Sequence, residues 1–509
     1  MRNTVVMSVL VVGLGLSACG ENPPQPPPPN FCPERPARQE PKPGQAPLLV
    51  RARPRHQEWP ARRDLARVTV SALARPQDAG EVGVEGRAWW ASPCLLGTPG
   101  LETATPQVAV AGDGHAMSVW TENDGVHQAL WFSEYVPQTG WTSGAAVGLW
   151  RDFPEGVLRV RQPQLVADGY SRMLAIWLQQ EGPGAEQMWF SLHTRGEGWS
   201  KPERVLTRPP GDATDLEVVR DAAGIVTAAW TRFDGDTFSE NVWVTRGSPE
   251  TGFEDARRID TPTPGFSLEP QVSVSDDGHV AVGWTRFDEV EGIGMTWFSR
   301  WTPAGGWSAA ERASADGVES FYAEPLAGPG GAVLALWSSL GPVNVELWAR
   351  PFVPGTGWGA PQRVEDALGT SGMAQASRER GGRAMVVWPR VRAGFTRLSA
   401  QPYDFAHGFR ERQDVDAQPL TLGQAQDPQV VSLSRTHALV VWSHQMAGGH
   451  RIATSRYTLN QGWGRALLLD TAPTAQSGLP WLSVGPTGVG VATWLHRGEV
   501  PGLGVSVFQ

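Results

Sequence analysis

Two strings in this chain repeat the same four residues, Thr231-Arg232-Phe233-Asp234 and Thr285-Arg286-Phe287-Asp288, setting a guanidinium two positions before a carboxylate. Such a pair can orient a polar ligand through charge-assisted hydrogen bonds, or brace neighbouring structural units as an ion pair. The strings open polar segments, residues 231–240 and 285–294, and similar segments elsewhere carry Glu122, Asp124, Arg390, His444 and Arg497. With Asp234 and Asp288 these residues form the expected binding face. His127, His444, His450 and His496 fall in the same kind of segment. Imidazole is the commonest metal ligand, yet no spacing here gathers these rings into one coordination set, so no metal is assigned.

Other chemistry lacks its residues. Lysine occurs only at Lys42 and Lys201, neither in a phosphate-loop or Schiff-base context. The chain contains no His-Glu-x-x-His, Cys-x-x-Cys, Gly-x-Ser-x-Gly or calcium-loop string. No catalytic residue and no cofactor is therefore assigned. The formal net charge of −9 divides into +1 in the N-terminal apolar segment, +3 over residues 20–87 and −13 beyond. Nucleic acid is excluded as a partner, because phosphate backbones are held by clustered Lys and Arg.

The elements that must position these residues are set by tryptophan. Trp120, Trp177, Trp230, Trp284, Trp337, Trp388, Trp442 and Trp494 recur at spacings of 51 to 57 residues. Each closes an apolar run without alternation, which describes a strand covered on both faces. Pro-Gln strings (Pro106-Gln107, Pro163-Gln164, Pro270-Gln271, Pro428-Gln429) precede these runs. Asp-Gly turns such as Asp113-Gly114 then give a hairpin. A third strand with its own aromatic and a fourth opened by Gly-Trp or Gly-Phe complete a unit. Repeats of this length and strand content predict an all-β, eight-bladed β-propeller over residues 86–509. Fourth strands follow only seven of the eight units, and Trp89-Trp90-Ala91-Ser92-Pro93 resembles Gly198-Trp199-Ser200-Lys201-Pro202. An N-terminal strand is thus expected to complete the last blade and close the ring. Residues 67–71 also read as a strand within the poorly defined segment 61–85.

At the N-terminus, Arg2 precedes an apolar stretch over residues 5–16 that is too short to span a bilayer as a helix. Leu16-Ser17-Ala18-Cys19 follows and resembles the lipobox of bacterial lipoproteins. The resemblance implies a signal peptide over residues 1–18, acylation of Cys19 and attachment to membrane lipid at the cell envelope. Gly20, in place of the Asp that marks inner-membrane retention in that class, implies the outer membrane. Residues 19–60 are proline-rich and read as a semi-rigid tether. Cys32 and Cys94 remain, and in an oxidising compartment they can form a disulfide.

The repeats are similar to the sialidase-like group of propellers at superfamily level. That group's Ser-x-Asp-x-Gly box is approached by Ser275-Asp276-Asp277-Gly278, whose glycine comes one position early. A sialidase also needs three clustered arginines, an acid and a Tyr–Glu nucleophile pair, for which Tyr322 with Glu319 or Glu324 is the set the chain offers. The leading expectation is a non-catalytic envelope propeller that binds another protein or acts as a scaffold. A glycan-binding propeller is the alternative, and a glycoside hydrolase the third.

Replacing Cys19 by Ala should move the protein from the membrane fraction to the soluble one, or leave the signal uncleaved. Fractionation with N-terminal mass analysis decides, and a processed Cys19→Ala variant still retained in the membrane would refute acylation.

Overall fold

The computed structural model describes residues 90–99, 101–123, 128–147, 159–180, 186–205, 212–261, 265–288, 292–365, 370–379, 381–392, 394–415, 423–470, 476–498 and 500–509. The signal, the tether, segment 61–85, Cys19, Cys32, Asp124 and His127 lie outside them. The described residues are all-β apart from a 3-10 turn at Pro329–Gly331. Among them no helix is long and apolar enough to cross a membrane.

The repeat is an antiparallel meander. In the first copy Glu102–Val110 pairs with Ala116–Asn123, which pairs with Gln128–Val136. Two short pieces, Gly140–Trp141 and Ala145–Ala146, then add to the outer edge. The fourth strand expected from the sequence is therefore split, and a recurrent clasp accounts for the split. A third-strand side chain donates to the carbonyl nine residues on, as Ser133 does to Thr142 (2.6 Å), Ser191 to Ser200 (2.8 Å) and Thr245 to Glu254 (2.7 Å). That carbonyl is turned away from the ladder to meet it.

Seven hydrogen-bonded sheets result, one of them ten-stranded because a parallel bridge from Glu240 to Phe266 joins two meanders. Each sheet begins with the first strand of its meander, and each first strand touches its counterpart in the next. The contacts run from Glu102–Val110 through Arg159–Ala167 and onward to Ser477–Val484, which touches Glu102–Val110 again.

The eight clock tryptophans all lie on second strands and are at most 2% exposed. The apolar clusters they anchor mix residues of successive meanders. Trp177 packs with Val119 and Leu130, and Trp284 with Val242 and Val244. Burial between sheets, rather than within one, makes both faces of the second strand apolar. The fit is tight: a Cβ at Gly504 would sit 2.2 Å from the Trp494 indole nitrogen. Tyr135, Tyr403 and Tyr457 are buried against Trp141, Phe409 and Trp463.

The last meander takes its outer strand from the other end of the chain. Cys94–Leu96 pairs with Leu503–Val505, and Trp90 bridges Phe508. The Ala91 N–H donates to the Val507 carbonyl and Ser506 donates to the Ala91 carbonyl, both at 2.7 Å. That is the clasp of the other meanders, with Trp90-Ala91 standing where Trp141-Thr142 stands in the first.

Trp284 is fully buried between two sheets. Trp284→Ala should lower stability by about 3–5 kcal/mol, read as a lower midpoint in urea at unchanged slope. A wild-type midpoint would mean that this interface does not hold the sheets together.

Candidate functional site

Side chains on a strand repeat every two residues, so the residue two after each clock tryptophan shares its face. In chain order these are Glu122, Gln179, Arg232, Arg286, Ser339, Arg390, His444 and His496. Arg232 is half-buried and the other seven are at most 9% exposed. Their partners are structural. Glu122 accepts from the Trp120 indole (2.9 Å) and from the N–H of Thr98 (2.8 Å), and Gln179 accepts from the Trp177 indole (2.9 Å). Arg286 faces Asp260 at 3.9 Å, Arg390 faces Glu365 at 3.2 Å and His496 faces Asp470 at 3.4 Å. Each of these acids ends one meander and its partner belongs to the next.

The structure therefore withdraws most of the face read from the sequence. Arg232 and Arg286 sit inside strands Val226–Asp234 and Val280–Asp288 rather than in loops. Glu122, Arg286, Arg390 and His444 are buried, and for Arg286 and Arg390 the brace between units is the arrangement observed. The Arg232 guanidinium lies over the Trp243 ring at 4.8 Å. Asp234 closes a turn by accepting the N–H groups of Asp236 and Thr237, and the Asp236 bond foremost holds its carboxyl below the usual range. Arg497 is exposed.

Two other features face outward. The first is axial. In seven of the first strands the register breaks at a non-glycine residue with positive φ, namely Thr105, Gln162, Asp215, Glu269, Tyr322, Asp427 and Leu479, while in the sixth the strand is split into Thr370–Ser371 and Gln375–Glu379. The residue after each positive-φ position is buried, often as proline, and the next is Gln107, Gln164, Glu217, Gln271, Glu324, Gln429 or Trp481. The Pro-Gln string is thus the signature of an inner bulge that places an amide or carboxyl at one level of six units, with Trp481 there in the last. Gln164 donates to the Leu216 carbonyl of the following meander at 2.9 Å.

Where carboxyls replace the amides, they crowd. Burial first, and then the charge of Asp215, pushes Glu217 up to about 8. Burial, and to a smaller degree the charge of Glu217, pushes Glu324 up to about 8 as well, against a hydrogen bond from the Ala376 backbone. These two glutamates belong to the third and fifth meanders, and the charge of Glu217 still reaches Glu324 across the fourth. Glu269, in the fourth, is raised by burial and by Asp215. At neutral pH the two raised carboxyls keep their protons and donate hydrogen bonds as amides do. Tyr322, 40% exposed, stands two residues from Glu324 on the same strand. Among the described residues no group of three or more His, Cys, Asp or Glu is placed to hold a metal ion.

The second feature is apolar. Phe238, Phe287, Leu340, Val343, Val391 and Phe395 are each 36–89% exposed. All lie where the second strand turns into the third, in four consecutive meanders, the third to the sixth. Phe238 stacks edge-on against Phe233 at 5.5 Å. The sequence reading saw these connections as polar and variable, and the exposure of their few apolar members is visible only in the fold.

The raised carboxyls carry a pH dependence. Glu217 and Glu324 hold their protons more tightly in the folded chain (about 8) than at the ordinary 4.5. Their stabilising contribution is complete below the ordinary value and is lost as pH climbs through the folded one. The melting temperature should fall between about pH 5 and pH 8, and Glu217→Gln with Glu324→Gln should flatten that fall. Each substitution should recover about 1–3 kcal/mol at alkaline pH, since part of each side chain still meets solvent. An unchanged profile in the double variant would exclude these two groups as its source.

No family model matches the chain, and no curated protein matches it. Among solved structures it is similar to a polysaccharide lyase of family PL25, an ulvan lyase, at 10% identity and a TM-score of 0.44, over 70% of this chain and 93% of that one. It is similar to a Hadza microbial sialidase at 12% identity and a TM-score of 0.35, over 66% of this chain and 76% of that one. An α-L-arabinanase of Penicillium chrysogenum aligns at 13% identity and a TM-score of 0.39, over 58% of this chain and 92% of that one. Likeness at this level assigns this chain no activity.

Proposed function

We propose that this chain is an eight-bladed β-propeller of the bacterial cell envelope, held to membrane lipid through an acylated Cys19, that docks a partner protein on the face where second strands turn into third. The unbroken succession of first-strand contacts, returning from the last meander to the first, supports the ring of eight. The clasp between Ser506 and Ala91 supports its closure by the N-terminal strand.

One observation carries the docking reading: apolar side chains stand exposed at the same edge of four consecutive units. Soluble surfaces rarely gather such residues without a use, and aromatic and aliphatic side chains are what a protein partner desolvates. Glu217 and Glu324 lie on the axial side of the same blades and keep their protons at neutral pH, so the fitting partner presents apolar residues beside hydrogen-bonding groups. Outer-membrane placement rests on Gly20. Cys94 is disulfide-bonded, and Cys32 is the partner we assign. The path from Cys19 to the ring is then 13 residues, or roughly 45 Å fully extended, which holds the propeller close to the lipid.

A glycan-binding reading has its own support in Tyr322, exposed beside Glu324 among the axial amides. Tyrosine can stack on a sugar while amides and carboxyls bond its hydroxyls.

Phe238→Ser with Val343→Ser should leave the melting temperature unchanged, because both side chains are exposed, and should remove the proteins retained by the wild type from envelope extract. Retention that persists as salt rises would match a contact made mainly by apolar groups. Equal retention by the double variant would sink the docking reading. A glycan-array signal lost in Tyr322→Phe would replace it by the glycan one, and turnover of a glycoside lost in that variant would make the protein an enzyme.

A further inference from the structure

On the opposite face, where first strands turn into second, a cavity of about 730 Å³ opens between the seventh, eighth and first meanders. It lies at the seam where strands from the two ends of the chain pair. In the other meanders the third strand runs through a covalent turn into the fourth, as at residues 136–140 in the first. In the last, the two strands come from opposite ends of the chain and are joined by the Trp90–Phe508 bridge and the pairing of Cys94–Leu96 with Leu503–Val505, not by a covalent turn. Tyr135, Leu433, Val489 and Phe508 supply apolar walls, and His437 and Arg456 the polar ones.

Arg456 occupies a position that the repeat uses three times. Arg246, Arg300 and Arg456 each pair with the residue three before a clock tryptophan, namely Thr227, Ala281 and Leu439. Each guanidinium lies over an aromatic ring of the next meander: Trp301 at 3.6 Å, Phe352 at 3.4 Å and Phe508 at 5.9 Å. The first two also have a carboxylate, Asp221 at 3.8 Å for Arg246 and Glu311 at 2.9 Å for Arg300. Arg456 has no carboxylate within ion-pair distance among the described residues, and its buried Nε has no acceptor. A half-buried guanidinium without a counter-charge is costly, and a ligand anion would supply what the other two receive from the chain.

We propose that the seam cavity binds a small organic carboxylate with an apolar body, its carboxylate pairing with Arg456 and its body lying against Phe508, Val489 and Leu433. The volume lies in the range of small-molecule sites, whose walls are mostly apolar with a few convergent polar groups. His437 suits the role. Its Nδ1 lies 2.9 Å from the Thr436 hydroxyl, and burial, followed by the charge of Arg456, lowers its pKa so that the ring is neutral. When Nδ1 accepts that hydroxyl, Nε2 carries the proton and can donate to an anion.

Calorimetric titration of the full chain in nonionic detergent with 4-phenylbutyrate, and with its neutral amide, tests the assignment. The acid should bind with a millimolar or smaller Kd, and the amide at least about tenfold more weakly, the usual loss when a charged hydrogen bond goes. Arg456→Gln should cost the acid a similar factor and leave the amide unchanged. Val489→Trp, which fills the cavity without altering charge, should abolish binding of both, and it decides the matter if the arginine variant fails to fold. Equal binding of acid and amide, acid affinity unchanged by Val489→Trp, or no acid binding at millimolar concentration would overturn the proposal.

Discussion

The whole architecture hangs on one requirement: a second strand that is apolar on both faces must be covered by a sheet on each side. A single meander cannot meet it. Trp120 or Trp284 placed at the edge of an isolated sheet would expose a large apolar ring, and only a neighbour on either side buries it. The chain accordingly repeats the unit until the last can cover the first. Satisfying the indole follows from the same burial. Where the residue two positions on is Glu122, Gln179 or His444, the Trp N–H has a side-chain acceptor, and for Trp388 the acceptor is Glu365 from the preceding unit. Where that residue is Arg286, the brace to Asp260 is made and the Trp284 indole has no acceptor among the described residues. The same seat therefore serves either indole satisfaction or an ionic brace.

The seam is the other consequence of a repeating unit in a linear chain. A strand borrowed from the opposite end removes the free sheet edge of the last blade, and it does so with the same hydroxyl clasp that the continuous units use. It does not restore the missing turn. The cavity beside Arg456 lies next to the place where the last meander takes its outer strand from the other end of the chain.

The two faces divide the chemistry. The edge where second strands turn into third carries exposed apolar side chains, and the axial side of the same units carries carboxyls that stay protonated at neutral pH. The opposite edge carries tight Asp-Gly turns, arginines already engaged with aromatic rings, and the cavity at the seam. Positive-φ bulges at Thr105, Gln162 and Asp215 are spread through the ring rather than gathered at one spot. They therefore read as part of how an inner strand turns its amide toward the axis, not as strain reserved for a catalytic centre.

The tryptophan period, the apolar second strand, the Asp-Gly turns and the surplus N-terminal strand were all legible in the sequence. Each is a local pattern with one mechanical meaning, and the likeness of Trp90-Ala91-Ser92 to Trp199-Ser200-Lys201 even located the closing strand. The site was not legible in the same way. Glu122, Arg286, Arg390 and His444 look like loop chemistry in one dimension, although their fixed distance of two from a tryptophan was already a sign of a shared strand face. What no spacing could reveal is which charges reach one another from non-adjacent units, as that of Glu217 reaches Glu324, or which of three equivalent arginines lacks its carboxylate. Those outcomes depend on which units become neighbours in the fold. Sequence fixes a residue's surroundings along its own strand, while burial, charge coupling and cavities are set by strands that lie hundreds of residues away.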